Sequence, residues 1–79
     1  MSRQLFQDCV QRALDDYFRD LGPVEPSGLH DLILGAAERP LLQSVMARAG
    51  GNQSRAAGWL GINRNTLRRK LVEHGLEAG

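Results

Sequence analysis

Between residues 5 and 21 nine apolar side chains recur at helical spacing: Leu5, Phe6, Cys9, Val10, Ala13, Leu14, Tyr17, Phe18 and Leu21. Columns at i and i+4 place them on an α-helix. At 100° per residue they spread over roughly 220° of its circumference, about twice the ~100° stripe that one core requires. A face that wide needs two neighbours, and the chain has only 79 residues, 42% of them apolar, with which to supply them. A single domain of this size buries too little surface to be comfortably stable without a staple, a metal or a partner chain. Cys9 is the only cysteine, and His30 and His74 stand alone in their segments, so a disulfide framework and a zinc site are both excluded. The partner expected is another chain.

The longest purely apolar or glycine run, residues 32–37, is far too short to span a bilayer. Met1, Ser2 and Arg3 lead into an interrupted pattern rather than a signal-peptide core. The expectation is a soluble, cytoplasmic chain in a reducing compartment, with no membrane partner.

Gly22 and Pro23 stop the first helix, and Pro26 and Ser27 supply a turn and a cap for a second one over about residues 27–49. Pro40 lies inside it, removes a backbone donor and predicts a kink. Before Pro40, Leu29, Leu32, Ile33, Ala36 and Ala37 share one side; after it, Leu41, Leu42, Val45, Met46 and Ala49 cluster about half a turn around. The two halves therefore face different partners. Gly50 and Gly51 end the helix.

Two short amphipathic stretches follow. Asn52 caps a helix whose buried face is Ala56, Ala57 and Leu60, Gly61 breaks it, and Asn63 caps a last helix with Leu67 and Leu71 inside. This is helix-turn-helix spacing. A small residue, Ala57, stands where the helices cross, Gly61 supplies the turn, and Ile62 and Leu67 fill the wedge. Charge follows the same division: residues 1–50 carry five basic and seven acidic side chains, residues 51–79 five basic and two acidic. Four of the latter five cations, Arg64, Arg68, Arg69 and Lys70, lie on the last helix. Arg64, Asn65, Arg68, Arg69 and Val72 fall opposite Leu67 and Leu71, so the outward face is cationic and hydrogen-bonding. Such a face suits the major groove, where an arginine fork matches guanine, asparagine matches adenine, and rim cations neutralise phosphates. The helix starts at Asn52 and Asn63 add backbone N–H groups that favour phosphate.

The string Gly51, Asn52, Gln53, Ser54, Arg55, Ala56, Ala57, then Leu60, Gly61, Ile62, Asn63, Arg64, Asn65, Thr66, Leu67, Arg68, Arg69, Lys70, Leu71 and Gly75, closely resembles the C-terminal half of the Fis family, the factor for inversion stimulation. The first helix, ending in Asp16, Tyr17 and Phe18, and the segment Glu38, Arg39, Pro40, Leu41, Leu42 share the resemblance, which spans nearly all of residues 5–76. It implies an all-α fold of four helices in one domain, residues 1–79. Residues 5–49 would form an interwound homodimer core, and residues 52–76 a helix-turn-helix DNA-binding region. It also implies a bacterial, nucleoid-associated homodimer in the cytoplasm that binds degenerate double-stranded sites, bends them and regulates transcription, with RNA polymerase as a protein partner. Its recognition helices would lie closer together than one turn of straight B-DNA. Position by position, the resemblance makes Asn63 and Arg64 the base contacts, Arg64 on guanine. Asn52, Gln53, Ser54, Thr66, Arg68, Arg69 and Lys70 become phosphate or flanking contacts. Val72 and Glu73 stand where the family's best-known members carry lysines, which implies weaker outer contacts and less bending. Only about four residues precede the first helix, too few for the β-hairpin arm with which such proteins activate a DNA invertase.

Trp59, at the margin of the Ala56/Leu60 face, reads as a packing residue rather than a base-stacking one, and Cys9 as a small buried hydrophobe. His74 suits a helix C-terminus; His30 has no assigned role. No carboxylate pair, nucleophile with its base, or phosphate-cradling loop occurs, so no enzyme, cofactor, metal or small-molecule substrate is expected. Two other readings share features of the pattern. One is the detached C-terminal domain of an enhancer-binding activator, against which Met1 and the complete first helix argue. The other is a dimeric protein-interaction adaptor, which would explain the mild net charge.

Overall fold

Four α-helices and no strand make up the computed structural model, which describes residues 1–79: α1 (Arg3–Leu21), α2 (Leu29–Arg48), α3 (Gln53–Leu60) and α4 (Arg64–Glu73). Local chemistry sets the boundaries. The Leu5 N–H donates to Ser2 Oγ at 3.3 Å, so α1 starts slightly earlier than its apolar pattern. At its other end the Gly22 N–H closes on the Phe18 carbonyl. α2 does not use Ser27 as its cap. Gly28 takes the N-cap position at φ +63° with no side-chain bond, a left-handed backbone that serine resists, and the helix begins one residue later than that cap would place it. α2 then continues through Pro40 to Arg48.

Asn52 and Asn63 cap α3 and α4 as their sequence positions require. Asn52 Oδ1 accepts from the Arg55 N–H at 3.0 Å, and Asn63 Oδ1 from the Asn65 N–H at 2.7 Å. α3 ends at Gly61, φ +73°, with the Ile62 N–H reaching back to the Ala57 carbonyl and the Gly61 N–H to Gly58. This double closure turns the chain while seating Ile62 against the core. α4 ends the same way: Leu76 N–H bonds to the Leu71 carbonyl, Gly75 N–H to Val72, and Leu76 packs on the core.

The core consists of Leu42, Ala49, Ala56, Ala57, Leu67 and Leu71, with Val45, Met46, Leu60, Ile62 and Leu76 packed around it. All of it belongs to the second half of α2, to α3, α4 and their turns. α3 packs on both α2 and α4. α1 buries nothing: Leu5, Phe6 and Phe18 are exposed, as are Leu32 and Leu34 on the first half of α2. Cys9, read from sequence as buried, is exposed in the chain for the same reason. Phe6, Cys9, Val10 and Ala13 of α1 and Ile33, Ala36 and Ala37 of α2 line an open apolar groove. The division of α2 at Pro40 thus separates a half with an intrachain core from a half without one.

Candidate nucleic-acid interface

The starts of α3 and α4 come together. Arg64 Nη1 donates to Ser54 Oγ at 3.5 Å, the long limit of a hydrogen bond, so the first residue of α4 reaches the first turn of α3. Asn52, Ser54, Asn63, Arg64, Arg68 and Arg69 are exposed, and Gln53, Thr66 and Lys70 are half-buried. Asn63 uses its carbonyl oxygen to cap α4, which leaves its amide NH2 as the donor it can offer outward. Arg64, the first residue of α4 and the one before the capped N–H of Asn65, lies at the positive end of the helix, beside backbone donors that favour an anion.

The cations of α4 differ in their partners. Lys70 Nζ donates to Glu38 Oε2 at 2.9 Å, and His74 Nε2 meets Glu38 Oε1 at 2.8 Å. Glu38 therefore clamps the last two turns of α4 to α2. Both contacts hold its carboxyl below the usual glutamate range, the Lys70 hydrogen bond most and the His74 bond next. Arg69 Nε lies 3.6 Å from Glu73, and Arg68 Nε lies 3.8 Å from Glu77. Of the four cations between residues 64 and 70, only Arg64 has no carboxylate partner. The basic tip seen in sequence is thus largely paired within the chain, and Arg64 is the charge it presents unpaired.

Residues 33–74 match the sequence profile described as "Bacterial regulatory protein, Fis family". The chain belongs to that family. It is 55% identical over 76 residues to a protein of Ralstonia nicotianae named "Putative Fis-like DNA-binding protein", covering 96% of this chain and 99% of the relative. A protein of the same name from Neisseria meningitidis serogroup A is 53% identical over 68 residues, 86% of each chain.

Set against this Fis-family pattern, several side chains depart from their sequence readings. Trp59 does not pack into the core: it is 52% exposed and carries the Arg55 guanidinium 4.9 Å above its ring. His74 is the C-cap of α4, as its position implies, but its ring bonds Glu38. His30 is exposed beside Asp31. Glu38, which enters the sequence reading only as part of the family resemblance, and Glu77 have no site role there. They lie 32 and 24 residues from the donors Lys70 and Gln53, and no local spacing rule links such positions. For Glu38 the sequence signal is indirect, a surplus of acids in residues 1–50 against a surplus of cations in residues 51–79; Glu77 has none.

Proposed function

We propose that this Fis-family chain binds double-stranded DNA as a homodimer, bends it, and acts in the bacterial nucleoid and in transcription regulation. Asn63 and Arg64 read base edges. Asn52, Gln53, Ser54, Thr66, Arg68 and Arg69 contact phosphates or flanking backbone, and Lys70 adds its charge from beside Glu38. The observation that carries this reading is Arg64, an unpaired guanidinium at the N-terminus of an exposed helix, tied to α3 through Ser54. Its fork suits the two acceptors of guanine, and the neighbouring helix starts suit phosphates. The printed names of the Ralstonia and Neisseria relatives support DNA as the ligand. Support for the dimer comes from α1, which buries none of its residues within the chain and leaves an apolar groove against α2. Folding and dimerisation are then inseparable.

Two measurements test the reading. Retardation of labelled duplexes across a salt series should show binding that weakens steeply as salt rises. Thermal midpoints should rise with protein concentration over a hundredfold range. A dimer that retards no duplex would leave a protein-docking adaptor, and a monomer with a concentration-independent midpoint would remove the dimer.

A further inference from the structure

The tail beyond α4 crosses the surface assigned above to DNA. The turn at Gly75 seats Leu76 on the core, and the next residue, Glu77, points its carboxylate at two side chains proposed as phosphate contacts. Glu77 Oε1 accepts from Gln53 Nε2 at 2.5 Å, and Glu77 Oε2 stands 3.8 Å from Arg68 Nε. Further along, Gly79 lies against Val72: a Cβ there would come within 3.3 Å of the Val72 Cγ1. Gly79 also lines a shallow cleft with Asn65, Arg68 and Arg69, on the outward arc of α4.

From this arrangement we infer that Glu77 is a built-in stand-in for a DNA phosphate, and that the tail must leave Gln53 and Arg68 before the duplex takes them. An ionised carboxylate is an acceptor-only oxyanion, as a phosphate diester is, and an amide NH2 with a guanidinium recognises either. The match is incomplete in a way that makes it displaceable. Glu77 Oε2 is shielded from solvent yet has no hydrogen-bond partner, because 3.8 Å to Arg68 is too long for one. A phosphate that approaches both donors closely replaces one good bond and one poor one by two good ones. The tail thus lowers affinity for every sequence alike, and it lowers the salt dependence too, since the released carboxylate takes up a cation that offsets part of the counterion release.

The inference rests on the proposal that Gln53 and Arg68 contact phosphates, and the experiment separates the two. Binding of a random-sequence duplex to the full chain is measured across salt for wild type, Glu77→Gln, a chain lacking residues 77–79, and the exposed-loop control Glu25→Gln. Glu77→Gln and the shortened chain are expected to bind about 2- to 5-fold more tightly per chain, the range of one exposed ion pair. The log–log salt slope should steepen by up to about one per chain, and Glu25→Gln should change neither. In a Gln53→Ala/Arg68→Ala background the gain from Glu77→Gln should vanish. Equal affinity for Glu77→Gln and wild type overturns the inference, as does a gain that persists in that background, which would make Glu77 only one more negative charge. Unchanged binding of Gln53→Ala and Arg68→Ala alone overturns their assignment to phosphate, and the inference with it.

Discussion

Arg64 and its neighbours on α4 carry the same formal charge but stand in different surroundings, and substitutions should separate them. Arg64 has only the neutral Ser54 beside it. If it forks onto guanine, Arg64→Ala should cost roughly 1–3 kcal/mol per half-site and flatten the preference at that base. Arg69, 3.6 Å from Glu73, should on mutation to alanine weaken all duplexes alike, reducing the salt slope by about one per half-site at most. Equal losses on specific and random duplexes for Arg64→Ala would reduce it to a phosphate contact. Lys70 differs again, because its ammonium is engaged by Glu38: Lys70→Ala should lower the unfolding midpoint as well as DNA affinity, whereas Arg69→Ala should leave stability within about 0.5 kcal/mol of wild type. The same clamp has a defined pH signature. Glu38 is held below its ordinary value of 4.5, so the unfolded chain binds more protons than the folded one between the two values. The stabilisation is fully present above the ordinary value and is lost as pH falls through the lowered one. Glu38→Gln should therefore be about 0.5–1 kcal/mol less stable than wild type at pH 7. The two urea midpoints should converge as the pH is taken below the ordinary glutamate range. A difference that stays constant from neutral to acidic pH would show that Glu38 acts through packing rather than charge.

At the scale of single elements, α3 offers two glycines with opposite demands. Gly61 sits at φ +73° in the turn, while Gly58 lies inside the helix without a positive φ, and a Cβ at either would meet nothing within 4 Å. Sterics with neighbours are therefore equal and backbone preference alone sets the sign. Gly61→Ala should destabilise by about 1–2 kcal/mol, the cost of a left-handed L-residue. Gly58→Ala should stabilise by about 0.5–1 kcal/mol through helix propensity and a less flexible unfolded chain. Urea unfolding of the two variants checks both signs, and stabilisation by Gly61→Ala would contradict the turn geometry. What was legible from sequence divides along the same lines. The caps at Asn52 and Asn63, the turn at Gly61, and the burial of Ala57, Leu67 and Leu71 were readable because each depends on residues within a few positions. Ser27 and Gly28 stand side by side in the sequence, where serine is the better cap by side chain, and only the backbone shows that a left-handed N-cap at Gly28 is used. Amphipathic spacing makes Cys9 a buried residue and Trp59 a packing residue at the margin of its face, because it identifies an apolar face without saying what covers it. Glu38 with Lys70, and Glu77 with Gln53, join distant parts of the chain, and their pairing emerges only once α2, α3 and α4 are packed together.

The molecule as a whole is too extended for its length. Its radius of gyration is 15.1 Å, against about 12 Å for a compact domain of this size, and the excess lies in α1 and the uncovered half of α2. A second copy interleaved there would make one rigid body carrying two copies of α4 related by a two-fold axis. The consequence for DNA follows from the spacing that the Fis family implies. Two recognition helices closer together than one turn of straight B-DNA, about 34 Å, enter successive major grooves only if the duplex curves toward the protein and its central minor groove narrows. Sequence at the centre of the site then matters without being touched, because flexible or A/T-rich steps deform at lower cost. In the proposed bent complex, flanking phosphates drawn in by the curvature would meet Val72 and Glu73, and Glu73 already lies 3.6 Å from Arg69. The bend should accordingly be smaller than in relatives with lysines at both positions. Glu73→Lys removes a repulsion, releases Arg69 and adds a cation, so it should increase affinity, bend angle and salt slope together, the slope by about two per half-site. Electrophoretic phasing of the bound duplexes measures the angle, and permuting the central base pairs measures the indirect preference. Straight DNA in the complex, or indifference to the central sequence, would leave a protein that reads grooves without deforming them.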